Sequence, residues 1–266
     1  AVKNKPQPAE LTDVDHPPGD SGSKMMCAIL ENRRITLVSF SGIDGAGKST
    51  QIEALRARME ETGLCVSVIT FWGDVARLTR IRETTGHTLF KGDKGIGTPA
   101  APLIRRDKNV RSWWMTCVRL GLYFLDAVSL RSVVKRALRS RADFVIFDRY
   151  IYDELANLAL DTAAARLYIA LLLKFVPKPH LIYLLDADPV QAFARKPEYP
   201  LAFLFTSRAS YLTLSKLAGG MTVLPPMPVR EVEREILKDV LNSLAFDESR
   251  GEHAEKLRGN DDKVPV

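Results

Sequence analysis

Long apolar segments are missing from this sequence of 266 residues. The longest candidate, Leu167 to Val176, is short and contains Lys174, whereas a membrane-spanning helix needs about 20 apolar residues. The first two dozen residues are polar and rich in proline, and they lack the apolar core of a secretory signal. We therefore expect no membrane partner and no secretory signal, with residues 1–32 forming a disordered lead-in.

Cysteine is also scarce. Cys27, Cys65 and Cys117 lie far apart, without metal-ligand spacing or the even number typical of a disulfide framework. This pattern predicts reduced thiols and a cytoplasmic location. The net charge of +6 is modest and no known nucleic-acid-binding module is visible, so we expect small anionic partners and no nucleic acid.

A glycine-rich pattern carries the clearest chemical information. Residues Gly42 to Thr50 match G-x-x-x-x-G-K-[ST], the phosphate-binding P-loop. Its glycines let backbone N–H groups approach phosphate oxygens, Lys48 would place its charge on the β- and γ-phosphates, and Ser49 would offer a hydroxyl to Mg²⁺. The predicted nucleotide-binding residues are Gly42, Gly45, Ala46, Gly47, Lys48, Ser49 and Thr50.

Five short apolar runs alternate with helical patterns along the chain. They are Ile35–Phe40, Cys65–Phe71, Phe144–Phe147, Leu181–Leu185 and Met221–Leu224. This alternation predicts an α/β fold of three layers, with a parallel sheet and helices on both faces. We expect one domain over residues 33–246, followed by a flexible tail over 247–266.

The longest helical pattern runs from about Val110 to Ser140. Apolar residues at helical spacing predict a stripe that faces the core. Its members are Trp113, Cys117, Leu120, Phe124, Val128 and Leu130. Trp114 and Tyr123 lie off the centre of this stripe and could face a cleft.

A second group of charged residues follows the third apolar run. Asp148 and Arg149 end a buried strand, and ligands of open α/β sheets bind beyond the carboxyl ends of strands. We therefore expect both residues at the same edge as the P-loop, where Asp148 can hold Mg²⁺ and Arg149 can bridge two phosphate groups. A structural ion pair is the alternative interpretation.

These motifs resemble the thymidylate kinase family of P-loop nucleoside monophosphate kinases. The resemblance covers about residues 33–245 and includes the P-loop, Asp148-Arg149-Tyr150, and the strand Leu181–Leu185 with Asp186 and Asp188-Pro189. It implies a five-stranded P-loop NTPase sheet in the order 2-3-1-4-5, the use of ATP and Mg²⁺, and phosphoryl transfer to dTMP. It also implies that the protein can form a homodimer, with the exposed side of the 110–140 helix as the place to look.

The resemblance assigns roles to individual residues. Asp44 would contact the acceptor sugar or a water on Mg²⁺, and Arg149 would clamp the acceptor phosphate and the transferring group. Some family members carry arginine at the position of Gly45, and those without it supply basic residues from a lid, here about residues 192–208. Arg195 and Lys196 are then the candidate transition-state cations, although two exposed charges at a helix end are the alternative.

The acceptor site departs from the family pattern. The family commonly has a serine and then a Tyr-Gln pair that reads thymine, where this chain has Asp153, Asn157 and Leu158. Asp153 would repel a phosphate unless it pairs with a nearby arginine. The candidate acceptor residues are Arg77, Arg80, Tyr123, Asp153 and Asn157.

The basic tract between Gly73 and Arg111 is longer than the usual acceptor loop and could be an acceptor-side wall or a solvated insertion.

Three functions follow from these observations. The first is a kinase that phosphorylates a nucleoside monophosphate, in particular dTMP. The second keeps the chemistry but uses another nucleotide or a non-nucleotide acceptor, and a hydroxyl acceptor would need a base such as Asp44 or Asp153. The third is a scaffold that binds nucleotide without transfer.

Overall fold

A sheet of five parallel strands lies at the centre of the protein in the order β2-β3-β1-β4-β5. The computed structural model describes residues 35–76 and 113–244. The strands are β1 (Thr36–Ser41), β2 (Val66–Thr70), β3 (Phe144–Asp148), β4 (Leu181–Leu185) and β5 (Thr222–Leu224). Each overlaps a predicted run, so the α/β class and the strand order are confirmed. The lead-in, the tail, Arg77, Arg80 and most of the basic tract lie outside the described residues.

Seven helices surround the sheet in the described part of the chain. They are α1 (Lys48–Glu61), α2 (Trp113–Ala137), α3 (Ile151–Leu155), α4 (Ala163–Phe175), α5 (Pro189–Arg195), α6 (Leu201–Ala218) and α7 (229–244). A π-helical turn, Phe71–Val75, follows β2. None of the described helices is long and apolar enough to cross a membrane.

Two apolar clusters show that helices cover both faces of the sheet. Leu37 and Val145 belong to a cluster with residues of α2, α3, α4 and α6, whereas Val38 and Ile146 belong to a cluster with residues of α1 and α7. Neighbouring strand residues point to opposite faces, and both faces here are apolar. This explains why the strands read as continuous apolar runs rather than as alternating patterns.

The buried face of α2 differs from the predicted stripe. Leu130 is buried as predicted, but Phe124 is 48% exposed, and Cys117 and Val128 are exposed too. The buried face instead carries the polar residue Ser129, whose hydroxyl donates to the carbonyl oxygen of Val75 at 2.7 Å. Apolar residues occur on several sides of α2, so periodicity alone did not identify the side that packs.

Candidate active site

The P-loop is fitted tightly between β4 and α5. A Cβ on Gly42 would lie 2.6 Å from the carbonyl oxygen of Leu185, and one on Gly45 would lie 2.3 Å from that of Ala192. Both glycines have positive φ, at 143° and 81°. Only glycine satisfies both restrictions, and the loop therefore presents backbone rather than side chains to its ligand.

The first turn of α1 provides backbone donors to the same site. Gly47 precedes α1 with a left-handed backbone, and no side chain caps this helix in the described structure. The first N–H groups of a helix have no partner within the helix, and together with the helix dipole they attract phosphate. Ser49 and Thr50 are exposed in this turn.

Lys48 is buried and folds back over the loop. Its Nζ donates to the carbonyl oxygens of Gly42 at 2.8 Å and Ile43 at 2.9 Å. Burial lowers the pKa of Lys48 to about 8, and Arg149 adds to this effect, while Asp153, Asp44 and Asp148 oppose it. Phosphate oxygens can replace the two carbonyl contacts and would favour the charged lysine.

Arg149 is held between two carboxylates. Its NH2 donates to Asp44 and its NH1 donates to Asp153 at 2.9 Å. Burial would raise the pKa of Asp44, but Arg149, Lys48 and Lys196 outweigh burial, and the pKa lies below its ordinary value. The backbone of Arg149 has a φ of 69°, a costly conformation for a residue with a Cβ that is characteristic of functional sites.

Asp153 lies beneath Arg149, with its side chain only 2% exposed. Besides Arg149, its oxygens accept from the hydroxyls of Ser41 and Tyr211, both at 2.7 Å, and from the amide of Tyr150 at 3.3 Å. The pairing with arginine removes the repulsion that an isolated carboxylate would exert on a phosphate. Neither Ser41 nor Tyr211 was predicted, because a serine before the P-loop and a tyrosine in an apolar helix carry no distinctive pattern.

Asp148 is the residue best placed to hold a cation. Among the described residues, its buried Oδ1 has no hydrogen-bond partner, and a buried carboxylate oxygen normally has one. This orphaned oxygen fits a Mg²⁺ ion or a water bound to it. No group of three or more His, Cys, Asp or Glu residues in the described ranges could hold a metal, so the remaining ligands would be Ser49, waters and phosphate oxygens.

The predicted lid consists of α5, a short connection and the start of α6. Arg195 is exposed and its Nε donates to the carbonyl oxygen of Gln191 at 3.2 Å. Lys196 is exposed as well and pairs with Glu198 at 3.3 Å, yet its charge contributes to the low pKa of Asp44. Of the two predicted cations, Lys196 is the one whose charge lowers the pKa of Asp44 in this conformation.

Two predicted acceptor residues have structural partners. Tyr123 is buried within the apolar cluster on one face of the sheet. The side-chain amide of Asn157 donates to the backbone carbonyl oxygen of Asp153 at 2.9 Å. Arg77 and Arg80 lie outside the described residues.

The sheet order and the P-loop define a nucleotide-binding α/β protein. No family model matches the sequence, but curated proteins do. The thymidylate kinase of Bifidobacterium longum (strain NCC 2705) is 30% identical over 161 residues, which are 59% of this chain and 69% of that protein. The thymidylate kinase of Chlorobium luteolum is 30% identical over 174 residues, 63% of this chain and 71% of that protein.

A more distant relative matches over a greater length. The probable thymidylate kinase of Methanosphaera stadtmanae is 24% identical over 206 residues, 76% of this chain and 95% of that protein. The chain belongs to the thymidylate kinase family. It is a nucleotide kinase.

Proposed function

We propose that this chain transfers the γ-phosphoryl group of ATP to the 5′-phosphate of dTMP, giving dTDP and ADP. The observation that carries the proposal is that Lys48, Asp44 and Arg149 lie close together at one edge of the sheet. The similarity of the chain to thymidylate kinases supports it. Lys48 and the P-loop amides bind the phosphates of ATP. Arg149 binds the acceptor phosphate and the group in transfer. Phosphoryl transfer depends mainly on such positioning and charge neutralisation.

Ser49 and Asp148 hold Mg²⁺ in this proposal, supported by the orphaned Oδ1 of Asp148. When bound, the ion neutralises charge on the β- and γ-phosphates. Arg195 and Lys196 stabilise the charge that develops on the transferring group. Closure of the lid over ATP excludes water, which would otherwise accept the phosphoryl group.

The geometry supports a phosphate acceptor over a hydroxyl acceptor. An oxygen of a phosphate monoester is already ionised near neutral pH, because the second pKa of the monoester is about 6. It can attack the γ-phosphorus directly as the bond to the β-phosphate oxygen breaks. A hydroxyl would need a base, and both candidates are engaged: Asp44 pairs with Arg149, and Asp153 accepts from Arg149, Ser41 and Tyr211.

An ADP-release assay with a panel of acceptors tests the proposal. Wild-type protein is given Mg²⁺, ATP and one of dTMP, dUMP, UMP, CMP, AMP or GMP, and Lys48→Ala measures the background. We expect turnover that depends on the acceptor and is fastest with dTMP. Failure of all six monophosphates would remove the proposal, and ATP binding without turnover would support a scaffold instead.

A different acceptor base is the second candidate, and Leu158 favours it. Asn157 and Leu158 stand where the family pattern has a Tyr-Gln pair that reads thymine, and Leu158 is apolar and only 8% exposed. The neighbouring Asn157 uses its amide on a backbone carbonyl. A buried leucine cannot read a base by hydrogen bonds, so a preference for another monophosphate in the panel would establish this alternative.

We also propose that the protein forms a homodimer and acts in the cytoplasm. Exposed apolar side chains on α2 and α4 support the first part; they are Val118, Phe124, Leu125, Val128, Leu167 and Leu171. Exposed apolar side chains of this kind are typical of interaction surfaces. Two exposed free thiols, Cys65 and Cys117, fit a reducing compartment. Sedimentation of wild type and Leu125→Asp tests the dimer, with loss of the dimer expected in the variant.

A further inference from the structure

The hydrogen-bonding capacity of Asp153 is filled by protein donors. Oδ1 accepts from NH1 of Arg149 at 2.9 Å and from the hydroxyl of Tyr211 at 2.7 Å. Oδ2 accepts from the hydroxyl of Ser41 at 2.7 Å and from the amide of Tyr150 at 3.3 Å. A carboxylate offers about four acceptor positions. Asp153 therefore has no position left for a substrate or for a proton taken from one.

These contacts join three elements that carry the site. Ser41 ends β1 directly before the P-loop, Arg149 follows β3, and Tyr211 belongs to α6. Burial and the charge of Asp153 hold the pKa of Tyr211 well above its ordinary value, so its hydroxyl remains a donor. One turn earlier in α6, Arg208 donates to both oxygens of Asp186 at 2.5 and 2.8 Å. Helix α6, whose first part belongs to the predicted lid, is thus fixed at two points beside the sheet edge.

We propose that Asp153 is a positioning residue that fixes the guanidinium of Arg149, and that Tyr211 fixes Asp153 from α6. The inference rests on the proposed phosphoryl transfer and adds residues to it. Arg149 is mostly buried and contacts a carboxylate on each side. With Asp44 alone it would keep only one anchor, on the P-loop. The contact with Asp153 holds the guanidinium group of Arg149 at a fixed orientation before substrate binds, which is the condition for efficient charge stabilisation.

A double-mutant cycle on kcat tests whether Asp153 acts through Arg149. Asp153→Asn removes the negative charge beside Arg149 and replaces one acceptor oxygen with a donor, which faces donors in either orientation of the amide: Arg149 and Tyr211, or Ser41 and Tyr150. We expect kcat to fall on the order of 10- to 100-fold, since small misplacements of catalytic groups have effects of this size. The KM for ATP should change little, because Lys48 and the P-loop remain intact. In an Arg149→Lys background the same substitution should change kcat by less than about threefold.

Tyr211→Phe tests the contribution of the contact from α6 separately from that of the Asp153 carboxylate. It removes only the hydroxyl that reaches Oδ1, and we expect a smaller fall in kcat with unchanged KM for ATP. Tyr183→Phe is the matched control, because Tyr183 is also buried but its hydroxyl faces the carbonyl oxygen of Ile236 on the other face of the sheet. Equal effects of the two substitutions on kcat would overturn the role of Tyr211.

A measurement without substrate distinguishes failure of this inference from failure of the proposed function. The Nε–H resonance of Arg149 in the NMR spectrum, assigned with Arg149→Lys, should be sharp and separate in wild type and in Tyr183→Phe. In Asp153→Asn the same resonance should broaden, or its chemical shift should move to that of exposed arginines. An unchanged resonance, or the same fall in kcat in both backgrounds of the cycle, would overturn the inference. Absence of wild-type turnover would instead count against the proposed function.

Discussion

A Cβ atom on Gly45 would lie 2.3 Å from the carbonyl oxygen of Ala192, so the P-loop and α5 are in direct backbone contact. The resemblance to thymidylate kinases implies that some members carry arginine at the position of Gly45. In this chain no side chain fits there. The close approach instead places the end of α5, with Arg195 and Lys196, next to the loop. The same contact thus excludes an arginine at position 45 and brings α5, which ends at Arg195 and is followed by Lys196, against the loop.

Gly45→Ala should therefore destabilise the protein more than a glycine substitution without this contact. Gly63 is the matched control, because it has the same φ of 81° but no atom within 4 Å of a built Cβ. Gly63→Ala should cost about 1–2 kcal/mol from its left-handed backbone alone. Gly45→Ala adds a collision with backbone, so its free energy of unfolding in urea should fall further. Equal losses would mean that α5 does not rest on the loop in solution.

The buried Lys48 predicts a specific dependence of stability on pH. Its pKa is about 8 in the folded protein, below the ordinary value of 10.5. Between these values the unfolded state holds more protons than the folded state, so stability rises with pH through this window and the contribution is absent below it. From about pH 7 to about pH 9 wild type should gain about 1 kcal/mol relative to Lys48→Met.

Chemical denaturation of the nucleotide-free protein at several pH values measures this gain. Lys238→Met is the control, because Lys238 is an exposed lysine on α7. That variant should follow the wild-type curve. A Lys48→Met curve parallel to wild type would show that Lys48 is not buried in solution.

The sequence predicted the sheet well because its physical causes are local. Runs such as Leu181–Leu185 are apolar enough for a strand buried on both faces, and the order of strands followed from the family resemblance. The face of α2 was predicted less well, since choosing between Phe124 and Tyr123 requires knowledge of what packs against the helix. The contacts of Asp153 were beyond sequence reasoning for a similar reason: Tyr211 follows it by 58 positions.

Asp148→Asn should weaken the binding of Mg²⁺ specifically. The orphaned Oδ1 of Asp148 is the one carboxylate oxygen of this kind among the described residues. Removing the charge should raise the Mg²⁺ concentration for half-maximal activity about 10- to 100-fold, the range seen when groups around a bound metal are changed. Asp143→Asn is the control, because Asp143 lies directly before β3, at the opposite end of the strand from Asp148, and accepts from the backbone amide of Cys65. Equal Mg²⁺ curves for both variants would contradict a metal role for Asp148.

Lys196→Ala should reduce kcat more than Arg195→Ala. Both side chains are exposed at the end of α5, but only the charge of Lys196 contributes to the low pKa of Asp44, while the Nε of Arg195 donates to its own helix. A cation near the developing charge lowers the barrier, and one that faces water contributes little because water screens it. We expect a loss of about tenfold or more for Lys196→Ala and less than about threefold for Arg195→Ala.

The steady-state rate at saturating ATP and acceptor measures this difference. Arg56→Ala is the control and should keep the wild-type rate, because Arg56 is an exposed residue of α1 that pairs with Glu60. The reverse order of the two lid variants would mean that the lid turns as it closes and brings Arg195 inward. Because Gly45 lies against Ala192 in the middle of α5, such a rotation would have to occur beyond Ala192. Repeating the comparison in Gly45→Ala, where that contact is broken, should reduce the difference between Lys196 and Arg195.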